Sequence, residues 1–459
     1  MNYLEELVEY TSSQVDFCDV RYEFIDELSV RVENGLVGEI RSTNKSGVVI
    51  RAMVNGTWGY ASTSYTDWYH LKEAANKAIK TAKKLANFFS HKKIEIKSRL
   101  IKGRLGIPVK INPKSVDIRS KIEDITAINK IQKDFSPKII NAATFYKEQV
   151  STNILSNSLG SLIEWHEIRT SLFGYSVARS NGKMQNSFFS ERKTAGYELV
   201  TNRKIEEMSM NTSKEAIMLL NARKPPSGYI TVIADPSVSG VLAHVTIGHA
   251  SEADEVLSNR GFTINMLGVK IGSLKVTVVD DGTIKGAYGT IPFDNEGTFP
   301  TRTVIVDHGY LNKFLQNLTT ASLMNQKPTG NGRAQDFSKK VLVRMTNTFI
   351  QKGQQSLEEI IESTNNGVLA LKAISGTADP AGKSFETKVL YGYVINNGQI
   401  SNLLRSFSLS GKITEILRSV DMISKDFKLI GRSCGKGLRN FVPVSIGGPY
   451  LRAKMLVGG

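Results

Sequence analysis

Three Asn-Gly dipeptides, Asn34-Gly35, Asn55-Gly56 and Asn181-Gly182, each separate stretches in which apolar and polar residues alternate. A two-residue type I′ turn needs positive φ at both central positions, and Asn-Gly supplies them at least cost. Each dipeptide therefore fixes a tight antiparallel hairpin and the register of its strands. Alternation places strands at residues 18–25, 28–33 and 36–43, then at 47–53 and 57–62. Helical spacing predicts helices over 1–14 and 68–87, so the first stretch reads as helix, meander, helix. The basic, irregular run 91–113 reads as a linker. Beyond it the pattern predicts a helix at 115–133, strands at 139–148, 151–155, 161–178 and 183–193, and a helix at 205–221.

Pro225-Pro226-Ser227-Gly228 breaks the helical pattern and marks a boundary. The expected class is α+β. An N-terminal domain spans 1–222, with sub-units of about 1–90 and 115–222. A large, mainly antiparallel, β-rich C-terminal domain follows over 223–459, opening with a strand at 229–234 and a helix at 237–249.

That helix carries His244-Val245-Thr246-Ile247-Gly248-His249, two of the six histidines in the chain. Neutral imidazole is the commonest side-chain ligand for zinc. Helical zinc pairs stand four residues apart, on one face. Here the spacing is five, which in a regular helix puts the rings about 140° apart. Both reach one metal only if the turn takes in an extra residue, a π-bulge, and Gly248 is where the backbone gives way most cheaply. Spacing alone leaves two readings open: a metal pair, or two histidines on different faces. Gly431-Arg432-Ser433-Cys434-Gly435-Lys436-Gly437 holds one of the two cysteines. Two imidazoles and a thiolate make three protein ligands with a fourth position for water, the count of a catalytic zinc site.

Hydrophobic residues make up 41% of the 459 and charged residues 22%, the balance of a globular chain. Disorder is excluded on that ground. No apolar run approaches the ~20 residues of a membrane span, and the acidic N-terminus lacks a signal-peptide layout. Cys18 and Cys434 lie too far apart in sequence to suggest a disulfide framework, so a cytoplasmic location is expected. The net charge of +16 is dispersed and comes without a nucleic-acid-binding motif. It reads as solubility and non-specific attraction, and no nucleic-acid partner is expected.

Taken in order, several stretches resemble one family. They are residues 46–53 with 56–64, Tyr288-Gly289 with Phe293-Asp294-Asn295-Glu296-Gly297, and Pro328-Thr329-Gly330-Asn331-Gly332-Arg333. The ending Val442-Pro443-Val444-Ser445-Ile446-Gly447-Gly448-Pro449, closed by Val457-Gly458-Gly459, is the most specific. Over nearly its whole length the chain resembles the TldD/PmbA proteins, also called modulators of DNA gyrase. The resemblance implies a zinc-dependent metallopeptidase with one Zn2+ per chain, held by His244, His249 and Cys434. TldD-type subunits carry His-Glu-x-x-x-His at this spacing and a Cys in the Cys-Gly-Lys context. It also implies an unfolded peptide substrate lying as an added strand on a large sheet, and a homodimer or a heterodimer with a second TldD/TldE-type subunit.

The chain departs from the family pattern at Val245, where the family has Glu. Valine cannot take a proton from metal-bound water, so the catalytic base is unassigned. Glu252, three residues past the second histidine, is a substitute base or, on the favoured reading, a supporting group or a solvated helix face; Asp254 is similar. Arg333 is a candidate to clamp a peptide carboxylate or steady an oxyanion, or else a loop charge. His308 reads as an exposed turn residue and Cys18 as a buried small hydrophobe. The alternative function is a catalytically silent TldE/PmbA-like partner that binds peptide or metal without turnover.

Overall fold

The computed structural model describes residues 2–88, 94–379, 383–437 and 439–459. Its class is α+β. The first sheet is built from β1 (Phe17–Glu33), β2 (Leu36–Val54), β3 (Thr57–Thr63), β4 (Lys102–Gly106), β5 (Ile139–Asn157), β6 (Leu162–Ser180) and β7 (Lys183–Lys193). Their order is β3-β2-β1-β5-β6-β4, with β7 also on β6. Helices α1 (Asn2–Ser12) and α2 (Trp68–Ala86) bury Leu4, Leu7, Leu71 and Ile79 against β1 and β2. Helices α3 (Ile118–Lys133) and α4 (Lys204–Met218) pack further along the same sheet.

The Asn-Gly pairs at 34–35, 55–56 and 181–182 form the expected turns, each with positive φ at both residues. The strands beside them are longer than alternation predicts. Residues 18–25 and 28–33 are one strand, and so are 36–43 and 47–53. The β1–β2 ladder runs unbroken from Phe17↔Met53 to Glu33↔Leu36 apart from one bulge, while β1 pairs with β5 on its other edge. The polar residues that looked like a break sit at the surface, where Asp26 pairs with Lys114 at 2.5 Å and Glu27 with Lys147 at 2.8 Å. Residues 139–148 and 151–155 merge in the same way into β5.

The expected linker holds a strand as well. β4 pairs in parallel with β6 from Lys102↔Leu162 to Gly106↔His166, and every one of its residues is exposed. Its side chains reach β6 through the Arg104–Glu164 pair at 2.8 Å, and a strand exposed along its whole length carries no apolar period to read. Residues 91–93 of that run lie outside the described residues.

The second sheet starts at β8 (Gly228–Ala234). After a gap come β9 (Val278–Asp281), β10 (Arg302–Asp307) and β11 (Tyr310–Leu311), then a separate two-stranded pair, β12 (Gly332–Arg333) with β13 (Leu342–Val343). The remaining strands are β14 (Asn347–Ile350), β15 (Asn366–Asp379), β16 (Ser384–Asn396), β17 (Gln399–Leu404), β18 (Phe407–Lys412), β19 (Met422–Lys436) and β20 (Asn440–Gly458). The order is β11-β10-β9-β14-β20-β18-β16-β15-β8, with β17 on β16 and β19 on β20. Pairing is antiparallel except at β14–β20 and β8–β15.

β8 also pairs back onto β20, from Leu451↔Ala234 to Val457↔Gly228. Strands β20, β18, β16, β15 and β8 thus close a ring. Helix α5 (Pro236–Val241) packs against β8, β15, β16 and β20 and is buried at every residue. A Cβ on Gly240 would lie 2.4 Å from the Gly447 nitrogen, so only glycine lets this helix approach β20 so closely. The largest core cluster joins Val238, Val241 and Leu242 of this segment to Val368, Val389, Phe407 and Met455 of the ring. Each such side chain contributes roughly 1.5–3 kcal/mol on burial.

The two halves meet through buried charge. Arg51 of β2 binds Asp19 of β1 and, at 2.6 Å, Glu296 of the second half. Lys45 meets Asp336 at 2.5 Å. Among the described residues no helix is long and apolar enough to cross a membrane.

Candidate metal centre

The site begins with a helix cap. Asp235 accepts from the Ser237 and Val238 amides at 3.0 and 2.9 Å, filling orphan donors of the first turn and launching α5. After Val241 the helix widens, and Leu242–Gly248 is π-helical, with the His249 N–H donating to the His244 carbonyl. That i to i+5 bond is the extra residue which the histidine spacing requires for both rings to share one side. The rings stand 5.2 Å apart at 76°. Gly248 lies in the wide turn, and a Cβ there would lie 2.0 Å from the Met345 sulfur. Its lack of a side chain lets Met345 pack under the wide turn, and its φ is not in the left-handed region.

Cys434 arrives from β19, opposite Val442 of β20. Its Sγ lies 3.3 Å from His249 Nε2, and one ligand atom from each of His244, His249 and Cys434 fall within 4.8 Å of one another. Tetrahedral zinc at roughly 2.0–2.3 Å from its ligands sets neighbouring donor atoms about 3.5 Å apart. Two imidazoles and a thiol are the residue types such an ion takes, and the 3.3 Å between Sγ and His249 Nε2 is close to that spacing. His244 is 5% exposed, and its Nδ1 has no hydrogen-bond partner. An orphaned buried imidazole nitrogen beside a thiol and a second imidazole is a donor set short of an acceptor.

Behind the ligands lies a shell of buried charge. Glu252, 0% exposed, sets Oε2 2.9 Å from His249 Nδ1, so that His249 turns Nε2 to the cysteine. Lys436, two residues past Cys434 and so on the same face of β19, reaches Glu252 at 3.1 Å, Asp254 at 2.7 Å and Glu255 at 3.3 Å. Arg344 donates to the Cys434 carbonyl at 2.6 Å and the Asn440 carbonyl at 2.7 Å, and its Nε stands 3.7 Å from Glu252. Glu252 is therefore neither a solvated helix face nor aimed at the cluster. It steadies His249 from behind, and Asp254 ties Lys436 in place. Lys436 could have been suspected from the Cys-x-Lys alternation; Arg344, ninety residues from its partner Cys434, left no sequence signal.

Burial opposes the thiolate, yet the two imidazoles hold Cys434 well below the usual thiol range. Burial likewise opposes a charged imidazole, but Glu252 and the cysteine lift His249 to about 10. Glu252, despite complete burial, is held down to about 2 by His249 and Lys436.

Val245 and His249 are the two positions of 241–250 that keep some exposure; Val245 packs its inner side on the core. Arg333 lies elsewhere. It is 4% exposed, donates Nη1 to the Met345 carbonyl at 2.6 Å and lines a cavity of about 540 Å3 between the two halves, which none of His244, His249 and Cys434 lines. His308, with φ 44°, is the expected exposed turn residue, and Cys18 is buried, with its thiol pushed up to about 12.

Three domain profiles match the chain: "PmbA/TldA metallopeptidase domain 1" over 18–86, "PmbA/TldA metallopeptidase central domain" over 111–220 and "PmbA/TldA metallopeptidase C-terminal domain" over 227–459. A metalloprotease of Methanocaldococcus jannaschii is 36% identical over 442 residues, covering 95% of this chain and 96% of that one. A zinc metalloprotease TldD homolog of Saccharolobus solfataricus is 32% identical over 257 residues, 56% of this chain and 57% of its own. The solved structure of TldE from Thermococcus kodakarensis superposes with a TM-score of 0.79 over 99% of each chain at 17% identity, a likeness of fold.

Proposed function

The chain belongs to the PmbA/TldD metallopeptidase family, and from that premise we propose that it holds one Zn2+ on His244, His249 and Cys434 and cleaves unfolded peptides laid as an added β-strand in a cleft. The observation that carries this reading is the π-helical turn that brings both imidazoles to the cysteine, within 4.8 Å. A regular helix would not do so, and π-bulges concentrate at functional sites. The zinc in the Saccharolobus relative's name agrees with the donor set.

When bound, zinc lowers the pKa of its water toward ~7 and polarises the scissile carbonyl. The chain's own residues hold and orient. Glu252 fixes His249 by its Nδ1, while Lys436 and Arg344 keep Glu252 ionised and tie down the strand that carries Cys434. Three protein ligands leave one position open. Among the described residues β19 pairs with β20 and makes an isolated bridge between Gln355 and Ser424, and Arg344 holds the Cys434 carbonyl; the rest of its other edge is the surface to which we assign a peptide of varied sequence.

Val245 supplies no proton acceptor, and the carboxylates that follow it are committed: Glu252 to His249, Asp254 and Glu255 to Lys436. Proton transfer by a positioned side chain is worth roughly 10²–10⁴-fold, so turnover is slow by that factor. The same observation favours a second reading, a TldE-like partner that binds peptide or metal without turnover. Assembly as a homodimer or heterodimer in the cytoplasm completes the proposal.

The test is cleavage of an unfolded peptide by the wild type and by Val245→Glu, both loaded with zinc. Slow wild-type cleavage, raised roughly 10²-fold or more by the added carboxylate, supports the slow peptidase. A wild type with no cleavage at all, next to an active Val245→Glu, makes the chain the silent partner. Inactivity of both, with zinc bound, overturns the peptidase assignment.

A further inference from the structure

The cavity of about 540 Å3 between the halves has an uneven charge balance. Three cations of its wall are matched: Lys45 by Asp336, Lys147 by Glu27 and Arg169 by Glu167. Arg333 is not. It is almost wholly buried, makes one side-chain hydrogen bond, to the Met345 carbonyl, and has no carboxylate within ion-pair distance among the described residues. The carboxylates nearest it in effect are engaged elsewhere, Glu167 by Arg169 and Asp280 by Thr346, Thr348 and Asn331. Burial, with Arg169 and Arg344 nearby, pushes its guanidinium down to about 9.

The same wall holds a buried carboxylate. Glu23 is ion-paired with Arg21 at 3.2 Å, and its Oε2 accepts no hydrogen bond. A buried charge without a counter-charge, as Arg333 is, costs stability, and a carboxylate in the cavity would supply the missing one.

We propose that this cavity is a second ligand site, for a small molecule with a free carboxylate and a free amine, an amino acid or a short peptide. Arg333 grips the carboxylate, because a guanidinium with most of its donors unused matches a carboxylate's two oxygens. Glu23, whose Oε2 is closed off beside Arg21, takes the ammonium through its other carboxylate oxygen. The volume suits such a ligand, since small-molecule sites run roughly 300–1,000 Å3. The site is separate from the His–Cys cluster: Ser433 lines the cavity while Cys434, next in the chain, does not. The inference therefore stands whether or not the chain hydrolyses peptides.

The test is calorimetric titration of full-length His244→Ala protein, which removes turnover, with L-alanine, trialanine, trialanine amide and N-acetyl-trialanine. Millimolar or tighter binding of alanine or trialanine is expected, with the better of the two naming the ligand. Amidation and Arg333→Met should each weaken it roughly tenfold or more, and acetylation and Glu23→Gln should do the same at the other end. Arg333→Met should leave the melting temperature of the ligand-free protein unchanged or higher, whereas a purely structural arginine would lower it. Should a variant fail to fold, the amide and acetyl comparisons on the His244→Ala chain still decide. Absence of binding by every probe, or binding indifferent to amidation and to Arg333→Met, overturns the proposal.

Discussion

One carboxylate, Glu252, decides how the site is held. It touches His249 in front and Lys436 and Arg344 behind, and it is wholly buried. Replacing it by glutamine strips Arg344 of its carboxylate and leaves Lys436 with Asp254 and Glu255, and unpairing one buried charge in this way costs about 3–5 kcal/mol in comparable buried pairs. Glu252→Gln should show that loss in urea denaturation and bind zinc roughly 10–100-fold more weakly in a chelator competition, because the group that orients His249 is lost. A glutamine variant as stable and as tight as the wild type would remove the carboxylate from the account. Because Glu252 sits at about 2 in the folded chain, below its unfolded value near 4.3, its stabilisation is present above pH ~4.3 and fades as the pH falls toward 2.

At the scale of the element, the wide turn is the device. Gly248→Ala would drive a Cβ to 2.0 Å from the Met345 sulfur. Overpacking of this kind costs typically 1–3 kcal/mol. Gly248→Ala should destabilise by that amount, and Met345→Ala in the same chain should recover part of it; additive losses would mean the two residues do not share the space. The i, i+5 spacing offered the turn as one of two readings in the sequence, since histidines sharing one side need the extra residue, but Met345 left no trace there. Elsewhere legibility followed the local signal. Asn-Gly turns gave away the first meander, and a fourth pair, Asn397-Gly398, makes the same turn between β16 and β17. Strand lengths were misread where surface ion pairs interrupt the alternation, at Asp26 and Glu27. The exposed β4 was not legible at all. The closure of the ring through Leu451↔Ala234 joins segments more than 200 residues apart and has no local signature.

At the scale of the molecule, the halves are joined across Arg51, Asp19 and Glu296, with Asp294 beside them. Burial, and then the charge of Glu296, raises Asp294 to about 7. Unfolded, the same carboxyl titrates near 3.9. Between those values the folded chain binds the extra proton, so this group's stabilisation is full below pH ~3.9 and is lost as the pH rises through 7. Urea denaturation across that window should show the loss in the wild type and its absence in Asp294→Asn. An identical slope in both would place the titrating group elsewhere.

The proposed metal site is made by one π-helical turn and one distant strand. It is tested most directly by zinc content after purification and dialysis, for the wild type beside His244→Ala and Cys434→Ala. About one zinc per chain in the wild type, and next to none in either variant, is the outcome predicted for three ligands with one open position. A wild type that retains no metal, or variants that retain as much as it does, would contradict the account.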